Sequence, residues 1–315
     1  MAFTMHSHSG QFCPGHAKDQ LEEVIQQAIA LKMRLISITE HMPRTHEQDL
    51  YPEELEAGHT SKMLLPRHED FLEEGIRLRD KYEGQIQILI GFEGEWIRPT
   101  YGPVIRGLAK DSKVDFFIGS VHHVHGIPID YDREIYLNAR QMADGSEQKL
   151  FEDYFDAMYA MLQDVRPRVI AHFDLIRLFS DLPNQDLKTW DSVWEKAVRC
   201  LKMIVHQGGL LEVNSSALRK GLREPYPSRS ICEEFLSLGG KFTLSDDSHS
   251  VAQVGLNFER VQKYLQDIGV ETLWYLERLS EEVAKTHEAG SLRLKSVALS
   301  ELDMKDYPYS TETLR

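Results

Sequence analysis

Cysteine is scarce in this chain. Three of 315 residues are cysteine, Cys13, Cys200 and Cys232, and their spacing forms no pattern. An odd, sparse set argues against a disulfide framework and fits a reducing compartment. Long apolar runs are missing too, so no segment is suited to span a bilayer. The first residues lack the basic region and apolar core of a secretory signal, and a cytoplasmic chain without a membrane partner is the expectation. Glycine-rich dinucleotide and P-loop motifs are absent, as are low-complexity tracts and solenoid repeats. Positive charge is in deficit, with 36 Lys and Arg against 50 Asp and Glu, a net charge of −14. Nucleic acid and anionic membrane are polyanions, so this balance disfavours both. A small anionic substrate stays compatible if local cations reverse the field at one spot.

Histidine, by contrast, is plentiful, with 14 residues, many of them at the ends of apolar runs. Those runs recur along the chain: 2–9, 34–41, 85–96, 114–124, 168–179, 208–218 and 241–250. Amphipathic segments with helical spacing intervene at 18–33, 69–82, 147–163, 191–206 and 228–238. Repeated strand–helix alternation is the mark of a parallel α/β architecture. Nearly every strand ends in His, Asp or Glu, and a closed barrel brings such ends to one face, whereas an open sheet spreads them along a line. The sequence therefore predicts a TIM-like (β/α) barrel of about seven strands over 1–287. A C-terminal extension, 288–315, would pack on the barrel or trail from it. The polar stretch 43–68 reads as a long loop of the lid or substrate-loop kind.

On a strand, residues two apart face the same side. His6 and His8 therefore present two imidazoles to one point, as a metal requires, and Asp247 with His249 repeats the spacing. His41, Glu93, His122 and His172 end successive strands, and His16 follows the first one. These nine residues are too many for one ion. With Glu93 bridging, they suit two or three divalent ions, and imidazole plus carboxylate fits Zn, Fe or Mn. The competing reading is that buried histidines are core residues bonded to carbonyls. That reading is kept for His46, His59, His68, His123, His125, His206 and His287. Glu95 points the same way as Glu93 and would support the ligands from behind.

In order along the chain stand HxH, "TEH", "GFEGE", "GSVHHV", "AHFDL" and "SDDSH". This set resembles the polymerase-and-histidinol-phosphatase (PHP) superfamily. The longer strings "GSVHHVHGIPIDYD", "EVNSSALRKGLREPYPS" and "DDSHSVAQVG" resemble its histidinol-phosphate phosphatases, the fungal branch in particular. The resemblance, over roughly 1–280, implies a distorted (β/α)7 barrel of the PHP fold with a trinuclear centre. One ion would lie on His6, His8, Glu93 and Asp247, a second on Glu93, His122 and His172, and a third on His16, His41 and His249. Glu93, Asp247 and His249 would carry catalysis through the ions they hold. Arg177 and Arg219 would grip the substrate phosphate. The implied activity is hydrolysis of L-histidinol phosphate in histidine biosynthesis. A hydroxide shared between two ions would attack phosphorus, and a coordinated water or a carboxyl such as Asp246 would protonate the leaving alkoxide. No Cys-x5-Arg or nucleophilic-His signature suggests a phosphoenzyme. Two other readings stand beside this one: a PHP phosphoesterase for a nucleotide, sugar phosphate or nucleic-acid end, and a metal-binding module without catalysis.

Overall fold

The computed structural model describes residues 1–279 and 291–309. In chain order its strands are β1 (Phe3–Thr4), β2 (Leu35–Ile38), β3 (Gln87–Glu95), β4 (Phe116–Ser120), β5 (His123–Val124), β6 (Ile127–Pro128), β7 (Val169–Ile170), β8 (Leu210–Asn214), β9 (Lys241–Ser245), β10 (Thr272–Arg278) and β11 (Leu292–Ala298). Seven of them form one sheet in the order β1-β2-β3-β4-β7-β8-β9, every pair parallel. The edges of that sheet meet just beyond β1 and β9. Met5 N–H donates to Leu244 O at 3.0 Å, Asp247 N–H to His6 O at 3.1 Å, and His8 N–H to Ser248 O at 2.8 Å. The sheet is thereby closed into a barrel.

Closure explains the composition of the strands. A parallel strand is covered on both faces, so it reads as a nearly continuous apolar run. In β3, Ile88, Leu89, Ile90 and Phe92 are all buried, and each such side chain contributes about 1.5–3 kcal/mol by leaving water. Polar side chains gather towards the C-terminal ends, with Glu212 inside β8 as a buried exception. The helices are α1 (Leu21–Ala30), α2 (Pro52–Glu56), α3 (Ser61–Lys81), α4 (Gly102–Leu108), α5 (Arg133–Met142), α6 (Glu147–Asp164), α7 (Asp191–Gln207), α8 (Ser216–Arg219), α9 (Arg229–Ser237) and α10 (Phe258–Asp267). Their apolar stripes face the sheet, as Leu21, Val24, Ile25 and Ala28 do from α1. The spacing of three and four puts those residues on one side of a helix.

The segment 43–68 departs from the expected loop. It holds a short 3-10 turn at Glu47–Asp49, helix α2, and the opening turns of α3. Pro66 inside α3 hid that helix, because proline removes one backbone donor and usually marks a helix end. Here only one early turn loses a bond, and Leu64, His68, Phe71 and Leu72 still share the buried face.

Beyond the barrel, β10 pairs antiparallel with β11. This pair docks at the N-terminal ends of the strands. Tyr275 lies 5.0 Å from Phe3, ring to ring, its hydroxyl accepts from Arg34 Nη1 at 3.1 Å, and Gln87 Nε2 donates to Arg278 O at 3.3 Å. Farther along, Asn257 N–H donates to Pro308 O at 2.8 Å, and Tyr307 stacks on Phe258 at 5.7 Å. Gly255, with φ +69°, leaves room for that ring, since a Cβ there would come within 2.5 Å of Tyr307. The expected boundary at 287/288 and the extreme C-terminus, 310–315, lie outside the described residues.

Candidate metal centre

The short strand β1 hands on directly to the cluster. His6 and His8 point to the interior, and Ser7 between them turns to β2, its hydroxyl donating to Ser37 O at 2.7 Å. Glu93, near the end of β3, occupies the middle, and its two oxygens serve different neighbours. Oε2 lies 3.3 Å from His6 Nε2, 3.5 Å from His8 Nε2 and 3.1 Å from His41 Nδ1. Oε1 lies 3.2 Å from His122 Nε2 and 3.0 Å from His172 Nε2. Asp247, just after β9, brings Oδ1 to 3.3 Å from His8 Nε2. Its φ of 49° is left-handed, a conformation that Asp tolerates better than most residues.

Burial opposes the ionisation of Glu93, but the imidazoles of His122, His6 and His41 outweigh it and hold the carboxyl well below its usual range. Burial likewise opposes ionisation of Asp247, and His6, His8 and His249 overcome it. The imidazoles behave differently from one another. Burial pushes His41 and His249 well below the ordinary histidine value. For His6 the desolvation is overcome by Glu93, Glu212 and Asp247, and its value rises.

The cluster is held from behind by acceptors that fix the ring tautomers. His6 Nδ1 lies 2.9 Å from Glu212 Oε1, His122 Nδ1 lies 2.9 Å from Glu95 Oε1, and His249 Nδ1 lies 2.8 Å from Asp247 O. With Nδ1 engaged behind each ring, Nε2 is the nitrogen left to face a cation. Yet His6 Nε2 faces His8 Nε2 at 3.0 Å, and His122 Nε2 faces His172 Nε2 at 3.1 Å. His41 Nε2 is buried without a hydrogen-bond partner, and Nδ1, though near Glu93 Oε2, forms no hydrogen bond with it. Converging lone pairs and orphaned buried nitrogens are what a divalent cation satisfies, and second-layer carboxylates behind histidine are its usual companions. His6–His8–Glu93, His41–Glu93–His122 and His8–His41–His249 each bring three donor atoms within reach of one ion. The residues fit a multinuclear centre with Glu93 shared between positions.

Eight of the nine sequence-predicted ligands thus converge at short range. The ninth, His16, stands at the rim. Its ring centroid is 4.8 Å from that of His249 and 5.1 Å from that of His41, while Nδ1 pairs with Glu53 Oε1 at 3.0 Å. Among the described residues, His46, His59, His68, His123, His125 and His206 join none of the three-donor groups. His287 lies outside them.

Two of the expected residues lie apart from the cleft lining. Arg177 is not among the side chains lining the cleft over the centre. It is buried against Asp174, Nε to Oδ2 at 3.0 Å, and Nη2 donates to Glu224 O and Pro225 O at 3.1 and 2.5 Å. Its guanidinium lies over the Tyr226 ring, 5.1 Å from the centroid. With its donors on backbone carbonyls, it braces the wall that carries Tyr226. Asp246 also faces away. Oδ1 accepts from Thr4 Oγ1 and Ser248 N at 3.2 and 3.1 Å, and Oδ2 from Gly255 N at 2.6 Å, so its role is to tie the loop after β9.

Arg219 does reach the cleft, an opening of about 260 Å3 above the cluster. Its Nη1 and Nη2 donate to Asp246 O and Asp247 O at 3.2 and 2.8 Å. Lys220 and Asp130 line the same opening and had no part in the sequence reading. Glu212 was missed too. It accepts from His6, from His172 N, from Asn214 Nδ2 and from Ser245 Oγ, at 2.9, 2.7, 2.9 and 2.5 Å. A charged residue inside the apolar run of β8 was the available signal.

Comparison with known proteins agrees with this geometry. The PHP domain matches residues 4–216. The chain belongs to the PHP domain family. It is 42% identical over 279 residues to a Schizosaccharomyces pombe protein named "Probable histidinol-phosphatase", covering 88% of this chain and 90% of that one. It is 33% identical to the Saccharomyces cerevisiae histidinol-phosphatase, covering 86% and 90%. Among solved structures, a Listeria monocytogenes chain shares the fold with a TM-score of 0.70 at 24% identity, covering 80% of this PHP chain and 97% of its own length. A Lactococcus lactis histidinol phosphate phosphatase, crystallised with zinc, L-histidinol and phosphate, does so with a TM-score of 0.67 at 20% identity, covering 87% and 95%. Among the described residues no helix is long and apolar enough to cross a membrane.

Proposed function

We propose that this PHP chain is a metal-dependent phosphomonoesterase that hydrolyses L-histidinol phosphate to L-histidinol and inorganic phosphate. The observation that carries it is the division of Glu93 between two sets of imidazoles, directly beneath a cleft whose wall holds Arg219 and Lys220. The names of the fungal relatives, at 42% and 33% identity over most of both chains, support the substrate.

His6, His8, His41, Glu93, His122, His172, Asp247 and His249 would hold two or three divalent ions, with His16 at the rim closing the outermost position. Such ions, when bound, supply Lewis acidity to the phosphoryl oxygens and a nucleophilic water at neutral pH. The remaining work falls to protein groups. Arg219 is pre-oriented by its two carbonyl contacts and presents its other N–H groups to the phosphate. Lys220 adds a compact cation on the same wall. Together they explain how a chain of net charge −14 attracts a phosphate ester. Hydrolysis adds the water oxygen to phosphorus and breaks the bond from phosphorus to the alkoxide oxygen. The alkoxide takes up the proton that the water loses.

The test is metal analysis combined with phosphate release from a panel of phosphomonoesters. Two or more equivalents of Zn, Fe or Mn per chain with selective turnover of L-histidinol phosphate is the expected result. Preference for nucleotides or sugar phosphates would move the chain to another phosphoesterase activity. Less than one equivalent of metal, with no turnover after reconstitution, would leave a non-catalytic module.

A further inference from the structure

The cleft wall carries one carboxylate that the metal centre does not use. Asp130 lies just after β6, in the stretch "GIPIDYD". Its place is fixed by the backbone, since Ile129 N–H donates to His122 O at 2.9 Å. The hairpin β5–β6 thus springs directly from a ligand residue and delivers Asp130 to the opening. Asp130 belongs to none of the three-donor groups around Glu93. Its Oδ1 is buried without a hydrogen-bond partner, and the residue forms no ion pair among the described residues. A carboxylate oxygen withheld from water and from donors is unfavourable unless something fills the gap.

The neighbourhood indicates what that something is. The phosphate end of the cleft is cationic, with Arg219 and Lys220. Asp130 lines the same opening and sets a negative group beside these cations. L-Histidinol phosphate is an anion at one end and an imidazole at the other, with a primary ammonium on the carbon between them. We propose that Asp130 is a specificity-determining residue, whose buried Oδ1 accepts a hydrogen bond from a nitrogen of the substrate, its ammonium or its imidazole. This inference rests on the proposed histidinol phosphate activity and deepens it. Charge-assisted hydrogen bonds in a partly desolvated site are among the stronger ones. A pocket built to bond a donor also rejects analogues that lack it, because its own polar group is then left unpaired.

The experiment compares metal-loaded wild type with Asp130→Asn and Asp130→Ser on four phosphomonoesters. L-Histidinol phosphate has ammonium and imidazole, 3-(imidazol-4-yl)propyl phosphate has only the imidazole, 2-aminopropyl phosphate has only the ammonium, and p-nitrophenyl phosphate has neither. We expect both variants to raise KM for L-histidinol phosphate at least tenfold. Metal content, kcat within a fewfold, and all constants for p-nitrophenyl phosphate should be kept. The single-group substrates then show whether ammonium or imidazole is the donor, since only the one that loses affinity in the variants meets Asp130. Equal losses on all four substrates would overturn the proposal and make Asp130 a support of the centre. Unchanged KM on all four would overturn it as well. If wild type itself shows no preference for L-histidinol phosphate over p-nitrophenyl phosphate, the activity on which the inference rests is wrong, a result distinct from either of the others.

Discussion

His6 Nδ1 is 2.9 Å from Glu212 Oε1, and both groups are fully buried. That contact settles which ring nitrogen keeps its proton and aims Nε2 at Glu93. Three further donors converge on the same carboxylate. Glu212→Gln would turn an amide N–H against some of them and withdraw the charge. Metal affinity is expected to fall about 10–100-fold, as is usual when such an outer partner is lost. A chelator competition titration measures it, and an unchanged affinity would remove Glu212 from the centre's support.

Arg177 offers the sharpest contrast between sequence and structure. Its partner Asp174 is fully buried. Arg177→Ala would strand that carboxylate, a loss of about 3–5 kcal/mol in comparable buried pairs. Thermal unfolding should shift strongly downward, while KM, measured where the variant remains folded, should barely move. A raised KM with unaltered unfolding would restore the phosphate-gripping role that the resemblance implied.

Arg219→Ala should act in the opposite sense. Loss of a charge-assisted contact to phosphate amounts to about 1.5–3 kcal/mol. KM and the inhibition constant for inorganic phosphate should both rise by one to two orders of magnitude, with metal content retained. Retained phosphate affinity would contradict the placement of this side chain.

His68 makes stability depend on pH from a position away from the ligands. Burial against Phe71 and Phe92 pushes it down from 6.5 to about 4. Both ring nitrogens are without partners. Between pH 6.5 and 4 the unfolded chain therefore binds a proton that the folded chain refuses. Its contribution is fully present above pH 6.5 and is lost as pH falls towards 4, by about 3 kcal/mol in all. Denaturant unfolding of wild type and His68→Leu at pH 7 and pH 4.5 tests this. The gap between the two proteins should shift in favour of the variant at the lower pH, and a constant gap would refute it.

The barrel was legible because its strands obey a rule visible in sequence, an apolar run ending in a chemical side chain. His6 with His8 follows the period of two, whereas Asp247 and His249 meet the cluster from beyond β9, through a left-handed turn at Asp247 that the period does not describe. What escaped was whatever depends on distance across the barrel. Glu212 sits mid-strand, and only the fold shows that its oxygens meet β1 and β7 residues. Arg177 and Asp246 sit next to motif positions and share their chemistry, but a shift of one residue or one turn aims them at backbone instead of the cleft. Asp130 carries no signal of its own in sequence, because only the hairpin brings it to the opening.

The seam of the barrel runs through the ligands themselves. Asp247 and Ser248 are hydrogen-bonded to His6 and His8, so the earliest and the latest donors of the polypeptide are stitched side by side. A nascent chain therefore carries its first two imidazoles through nearly all of barrel synthesis before their counterparts exist. The donor set is therefore complete only once residues 247–249 have been made, although His41, Glu93 and His122 already form one three-donor group without them.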